Sequence, residues 1–216
     1  LGRPLVLYKY SIPPRWILIS LTRCFRQFSL NEFIKSRDLY IQKRAKLGIE
    51  LKTDASNLTD RYLKYKAVVD EGMSRQLREK QMQDSFFMYA MAKSGNFSVP
   101  GSGKTSSALG VYCFLKMQDL VDKIVVIGPK NSFGSWMDEF EACFKDKESL
   151  KVLNIHSPLY KNTHQRRVAI EYDSGNCNLI LVNYESVGGV LDSLEEIIGK
   201  NTLFYSLIKI KIISAS

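Results

Sequence analysis

Residues 98–105 read Ser-Val-Pro-Gly-Ser-Gly-Lys-Thr. That order of residue types suits one task, the grip of a multiply charged phosphate group. Backbone N–H groups at a helix N-terminus have no intrahelical partners and favour an anion. Gly101 and Gly103 supply the positive φ and the close backbone approach that such a nest requires. Lys104 is placed to reach the β- and γ-phosphates of a triphosphate, and the Thr105 hydroxyl to ligate Mg²⁺. Pro100, Ser102 and Ser106 complete the candidate nucleotide-binding stretch. Ser98 stands where the common G-x-x-x-x-G-K-[ST] pattern has its first glycine. The bland alternative is a Gly/Ser-rich turn that happens to contain Lys-Thr.

Such a loop works only between a strand and a helix. Asn96–Val99 is expected as the short strand that feeds it, and residues 104–118 as the helix behind it. A further helix is expected ahead of the loop, over 75–93, with Phe86, Phe87, Ala90 and Met91 as its apolar stripe. Downstream, Lys-Ile-Val-Val-Ile at 123–127 reads as a buried parallel strand. Phe133, Trp136, Met137, Phe140 and Phe144 share one helical face and predict a helix over 131–144, with Trp136 and Phe140 as core. A strand at 151–155, a polar helix at 162–172, a strand at 178–183 and a helix at 190–198 follow. Strands alternating with helices imply an α/β fold with a mainly parallel sheet. Residues 31–73 read as helical and basic, whereas 1–30, broken by Pro4, Pro13 and Pro14, show no clean period. The expected organisation is a basic, mainly helical extension over 1–73 and an α/β lobe over 74–216.

The charge is unevenly placed. Residues 1–50 carry a net +7 of the chain's +9. A basic arm ahead of a nucleotide-binding lobe suits a polyanionic partner, DNA or RNA, although a solvated helical face would look the same. Hydrophobic content of 45% and charged content of 25% belong to a globular chain and argue against disorder. Cys24, Cys113, Cys143 and Cys177 lie far apart, without a C-x-x-C pair, so a zinc site or disulfide framework is not expected and a reducing cytoplasm is. His156 and His164 are expected at the surface. The apolar runs at 16–21 and 203–213 are too short to cross a bilayer, and no membrane partner is expected.

Four pieces of the chain together resemble the Swi/Snf-related group of helicase superfamily 2, P-loop NTPases of the DEAD/DEAH-like kind. Leu77-Arg78-Glu79-Lys80-Gln81 resembles that family's L-R-x-x-Q element, 23 residues ahead of Lys104. The resemblance implies that Gln81 reads the adenine edge, for which a side-chain amide offers both donor and acceptor. The phosphate loop itself is similar, within Asn-Phe-Ser-Val-Pro-Gly-Ser-Gly-Lys-Thr at 96–105. Helicase-like ATPases tolerate a small residue at Ser98, which disfavours a small-molecule P-loop kinase. Ile127-Gly128-Pro129-Lys130 with Ser135-Trp136-Met137-Asp138-Glu139-Phe140 resembles motif Ia, and implies nucleic-acid backbone contacts at Lys130 and Asn131. Leu181-Val182-Asn183-Tyr184-Glu185-Ser186 resembles the T-Y-E element, with Asn183 in place of Thr, and implies a further contact at Tyr184. The match covers roughly 74–200. What it implies is a partial RecA-like lobe that takes ATP and Mg²⁺ and acts on nucleic acid, DNA rather than RNA.

One part of that machinery is missing. Hydrolysis in this family needs an Asp-Glu-x-His after an apolar strand, to hold Mg²⁺ and orient water. Thr202–Ile213 sits where that strand belongs and contains neither Asp nor Glu. Asp192, Glu195 and Glu196 are the nearest acids, on the preceding helix, and read as its solvent face. The reading therefore expects no complete catalytic set and negligible turnover by this chain alone. It also expects a chain cut short before the acidic motif, with the second lobe supplied by another chain if at all. The competing reading is a non-catalytic remnant or nucleic-acid-binding module whose phosphate loop is vestigial.

Overall fold

The computed structural model describes residues 38–43, 45, 46, 48, 49, 59–91, 93, 94, 101–198, 202–206 and 209–213. The chain divides into two units, 1–58 and 59–216. In the first, the described backbone is helical and its described side chains are mostly exposed. The helix Thr59–Gly72 (α1), which the sequence groups with the extension, packs into the second unit through buried Tyr65 and Val69.

The second unit is mixed α/β. After α1 come α2 (Glu79–Met91), β1 (Lys93–Ser94), α3 (Lys104–Met117), β2 (Lys123–Gly128) and α4 (Phe133–Phe144). Then follow β3 (Val152–Asn154), α5 (Thr163–Asp173), β4 (Leu179–Asn183), α6 (Val187–Ile198), β5 (Thr202–Ser206) and β6 (Lys209–Ile213). The expected elements from 104 to 198 are all present, with no end shifted by more than three residues. A 3₁₀ turn, Lys130–Ser132, opens the way into α4, so that helix starts at Phe133 and not at Asn131. The expected strand Asn96–Val99 lies outside the described residues; the strand ahead of the loop is Lys93–Ser94.

The six strands form one sheet in the order β1-β6-β5-β2-β4-β3. β5, β2, β4 and β3 are parallel. Thr202–Ile213 is not one strand but two, an antiparallel pair joined across residues 207 and 208. β6 is antiparallel to β1 as well, so β1 runs in the same direction as the four parallel strands. Ser94, Ile210, Tyr205, Val126, Leu181 and Asn154 lie in one hydrogen-bonded row across the sheet. The segments after β1, β2, β3 and β4 therefore all leave from the same, carboxyl edge.

The central strands are apolar on both faces because helices cover both. α3 and α4 carry the chain one way across the sheet, and α5 and α6 carry it back. Right-handed crossovers then put the two pairs on opposite sides. Val125, Ile127, Ile180 and Val182 pack with Ala169, Ile170, Val190 and Leu194 of α5 and α6. Ile124, Val126, Leu179 and Leu181, whose side chains point the other way along the strands, are fully buried too. On α4, Phe133, Trp136, Phe140 and Phe144 are buried on one face; Met137 is only partly covered. An aromatic cluster of Tyr62, Tyr65, Phe86, Tyr89 and Phe114 ties α1, α2 and α3 together, and the Tyr65 hydroxyl sits 2.6 Å from the buried Ser85 hydroxyl.

Candidate phosphate-binding site

The first turn of α3 carries the loop chemistry. Gly101 and Gly103 adopt φ of 81° and 84°, the left-handed region that only glycine enters without strain. Gly103 is the N-cap, and its carbonyl accepts the Ser107 N–H at 3.0 Å. The N–H groups of Lys104, Thr105 and Ser106 lie in the first helical turn, beyond the reach of any intrahelical carbonyl. Lys104 and Thr105 are half-buried. The Ser102 hydroxyl is buried with no hydrogen-bond partner, a donor in a loop whose backbone donors are also unspent.

Gln81, from the first turn of α2, sits directly against this loop. Its Nε2 lies 3.5 Å from the Ser102 carbonyl, and its Oε1 accepts the Arg78 N–H at 3.0 Å. A Cβ placed on Gly103 would come within 1.9 Å of that Nε2. The family resemblance implies a place for Gln81 near the loop, and the fold puts it beside the loop. Pro100 lies outside the described residues.

Ser106 departs from the expectation. It is buried, and its hydroxyl donates to the Glu139 carboxylate of α4, which leaves its N–H for a ligand and not its side chain. Arg75 donates to the same carboxylate and lies 3.5 Å from the Ser106 hydroxyl and 3.3 Å from the Cys143 sulfur. The Ser74 hydroxyl and N–H bind the Phe144 and Cys143 carbonyls at 2.7 Å. Arg75, Glu139 and Ser106 thus lock the segment before α2, helix α4 and the loop helix together. Burial pushes the neighbouring thiols up, Cys143 to about 11 and Cys113 to about 12, so both stay protonated and inert at neutral pH.

The other expected contacts leave the same edge further along the sheet. Lys130 and Asn131, in the turn after β2, are exposed, as is Tyr184 after β4. His156, after β3, is not the surface residue expected. It is half-buried beside Phe133, and its Nε2 accepts the Asn183 N–H at 3.0 Å. Desolvation, with Arg166 and Lys130 nearby, lowers its pKa, and Glu185 opposes this. His164, on α5, is exposed as expected. Neither the His156–Asn183 bond nor the Arg75–Glu139–Ser106 cluster had a sequence signal: the first uses a backbone donor, the second joins residues more than 30 positions apart.

The residues present fit the phosphate end of ATP. For Mg²⁺ the loop offers the Thr105 hydroxyl, and among the described residues no group of three His, Cys, Asp or Glu side chains gathers to hold a metal. No protein-family model matches the chain, and no curated protein matches it. Among the described residues no helix is long and apolar enough to cross a membrane.

Proposed function

We propose that this chain binds ATP with Mg²⁺ through residues 100–106 and Gln81, as part of a RecA-like lobe of a nucleic-acid-dependent, helicase-like ATPase related to the Swi/Snf group. One observation carries the reading: two left-handed glycines set the free N–H groups at the head of α3, and Gln81 is packed so closely on Gly103 that a Cβ there would displace its amide. Lys104 and the helix N-terminus would hold the phosphates, and Thr105 the metal, whose role is to neutralise charge on the transferred group. Lys130, Asn131 and Tyr184, along the same edge, would meet the nucleic-acid backbone, with DNA favoured over RNA.

Turnover is a separate matter. The stretch Thr202–Ile213 brings no carboxylate to the sheet, so nothing in it activates water or completes a metal shell. That favours a second reading, a nucleic-acid-binding module that holds nucleotide without hydrolysing it. Both readings are tested by calorimetric titration of ATP·Mg²⁺ and by phosphate release with and without DNA, using wild type and Lys104→Ala. Binding that falls at least ~10-fold in Lys104→Ala supports the nucleotide site. DNA-stimulated turnover lost in the same variant would defeat the module reading. Equal ATP affinity in the two proteins would overturn the site itself.

A further inference from the structure

At the far end of the carboxyl edge, two buried donors have nothing to donate to. His156 Nε2 accepts the Asn183 N–H, so in the neutral ring the proton is on Nδ1. Nδ1 is buried and unpartnered. Arg166 Nε, on the first turns of α5, is also buried and unpartnered. A buried donor without a partner is costly, and folds rarely keep one without a use. Desolvation lowers the His156 pKa, Arg166 and the exposed Lys130 add to this, and Glu185 opposes it, so these charges lie near the ring. Neighbouring Arg167 is already spent, its Nε donating to the Gly189 carbonyl at 2.6 Å.

We infer that His156, Arg166 and Lys130 form a second anion seat, separate from the loop at Gly101–Thr105, which takes a phosphate oxygen between His156 Nδ1 and Arg166 Nε. Neither side chain is wholly enclosed, so a small rotation opens the pair to an oxygen. The ligand chemistry is phosphate, either free or as a nucleic-acid phosphodiester. In the second case the seat deepens the nucleic-acid reading above and rests on it. It adds two residues that no motif marks. Backbone phosphates are met by such donors irrespective of base, so this seat fixes position and carries no sequence preference.

The test follows the His156 ring by ¹⁵N NMR in the full chain while inorganic phosphate or a single-stranded oligothymidylate is added. The His156 signal is expected to shift, and His164, on the exposed side of α5, to stay fixed. A response to phosphate and not to the oligonucleotide assigns a free anion; a response to the oligonucleotide assigns the backbone. In the latter case Arg166→Lys, which keeps the charge and loses Nε–H, weakens oligonucleotide binding about 3- to 10-fold, whereas Arg166→Gln also lowers the salt slope by about one. No shift of His156 with either ligand overturns the proposal. ATP affinity is the independent control. If ATP fails to bind and His156 still responds, the nucleotide reading falls and this one stands.

Discussion

The two edges of one sheet are treated in opposite ways. At the amino edge the Glu148 carboxylate, largely buried, accepts from Lys116, from the Tyr112 hydroxyl at 2.8 Å and from Asn178 Nδ2 at 2.6 Å. Asn178 Oδ1 takes the Lys151 N–H at 2.8 Å, and the Tyr112 hydroxyl also reaches the Asp122 carbonyl at 3.2 Å. Every strong polar group there is answered by another, and the result ties the C-terminal half of α3 to the starts of β2, β3 and β4. At the carboxyl edge, Ser102 Oγ, His156 Nδ1 and Arg166 Nε are buried without partners. All three can donate, and the hydroxyl can accept as well. The amino edge thus answers its polar groups internally, whereas the carboxyl edge keeps these three unanswered among the described residues.

The comparison breaks first at Glu148. Glu148→Ala strands three donors, and chemical denaturation should show a loss of about 3 kcal/mol, equivalent to a Tm lower by about 6–12 °C, with ATP affinity unchanged below the melt. A loss under about 1 kcal/mol would mean that the amino edge is not the anchor. Gly103→Ala is next. A Cβ at φ 84° costs roughly 1–2 kcal/mol and must push Gln81 aside, so triphosphate binding should fall further than stability does. Equal losses in both would place Gly103 with the scaffold and not with the ligand.

Arg75→Ala sits between the two regimes. Its pair with Glu139 is partly exposed, so water screens it, and the expected loss of stability is under about 1 kcal/mol. ATP affinity should nevertheless weaken severalfold, because Glu139 then loses the arm that holds it on Ser106. Least in size is the pH effect. The His156 pKa is lowered in the fold, by desolvation and then by Arg166 and Lys130 against Glu185. Stability should therefore be full above about 6.5 and decline as pH falls through the folded value. His156→Gln should flatten that decline; an unchanged profile would show that another group titrates.

What could be read from residue order was what repeats locally. Val125, Val126, Leu181 and Val182 announce buried strands by type, and the spacing of Phe133, Trp136 and Phe140 announces the buried face of α4. The left-handed turns at Gly101 and Gly103 and the helix behind them were legible because glycine, lysine and threonine at fixed spacing carry their own geometry. Gln81 was reached only through a family likeness. Glu139, His156 and Arg166 were not legible, since their meaning depends on partners brought together by the crossovers. Likewise the break between β5 and β6 has no Gly, Asn or Pro to mark it, and the β-branched, mostly apolar run reads as one strand.

The placement of β6 between β5 and β1 bears on the order of assembly. Lys93 and Ser94 find their sheet neighbours at Lys211 and Ile210, which leave the ribosome more than a hundred residues later. β2, β3 and β4 can pair among themselves well before that. The strand ahead of the Gly101–Thr105 loop is thus the last to be docked during synthesis, and until then the loop is held by α3 and by Gln81 of α2. Maturation of the proposed ATP site should trail formation of the core, and a chain stalled after α6 should already be compact while its triphosphate affinity is still below that of the full chain.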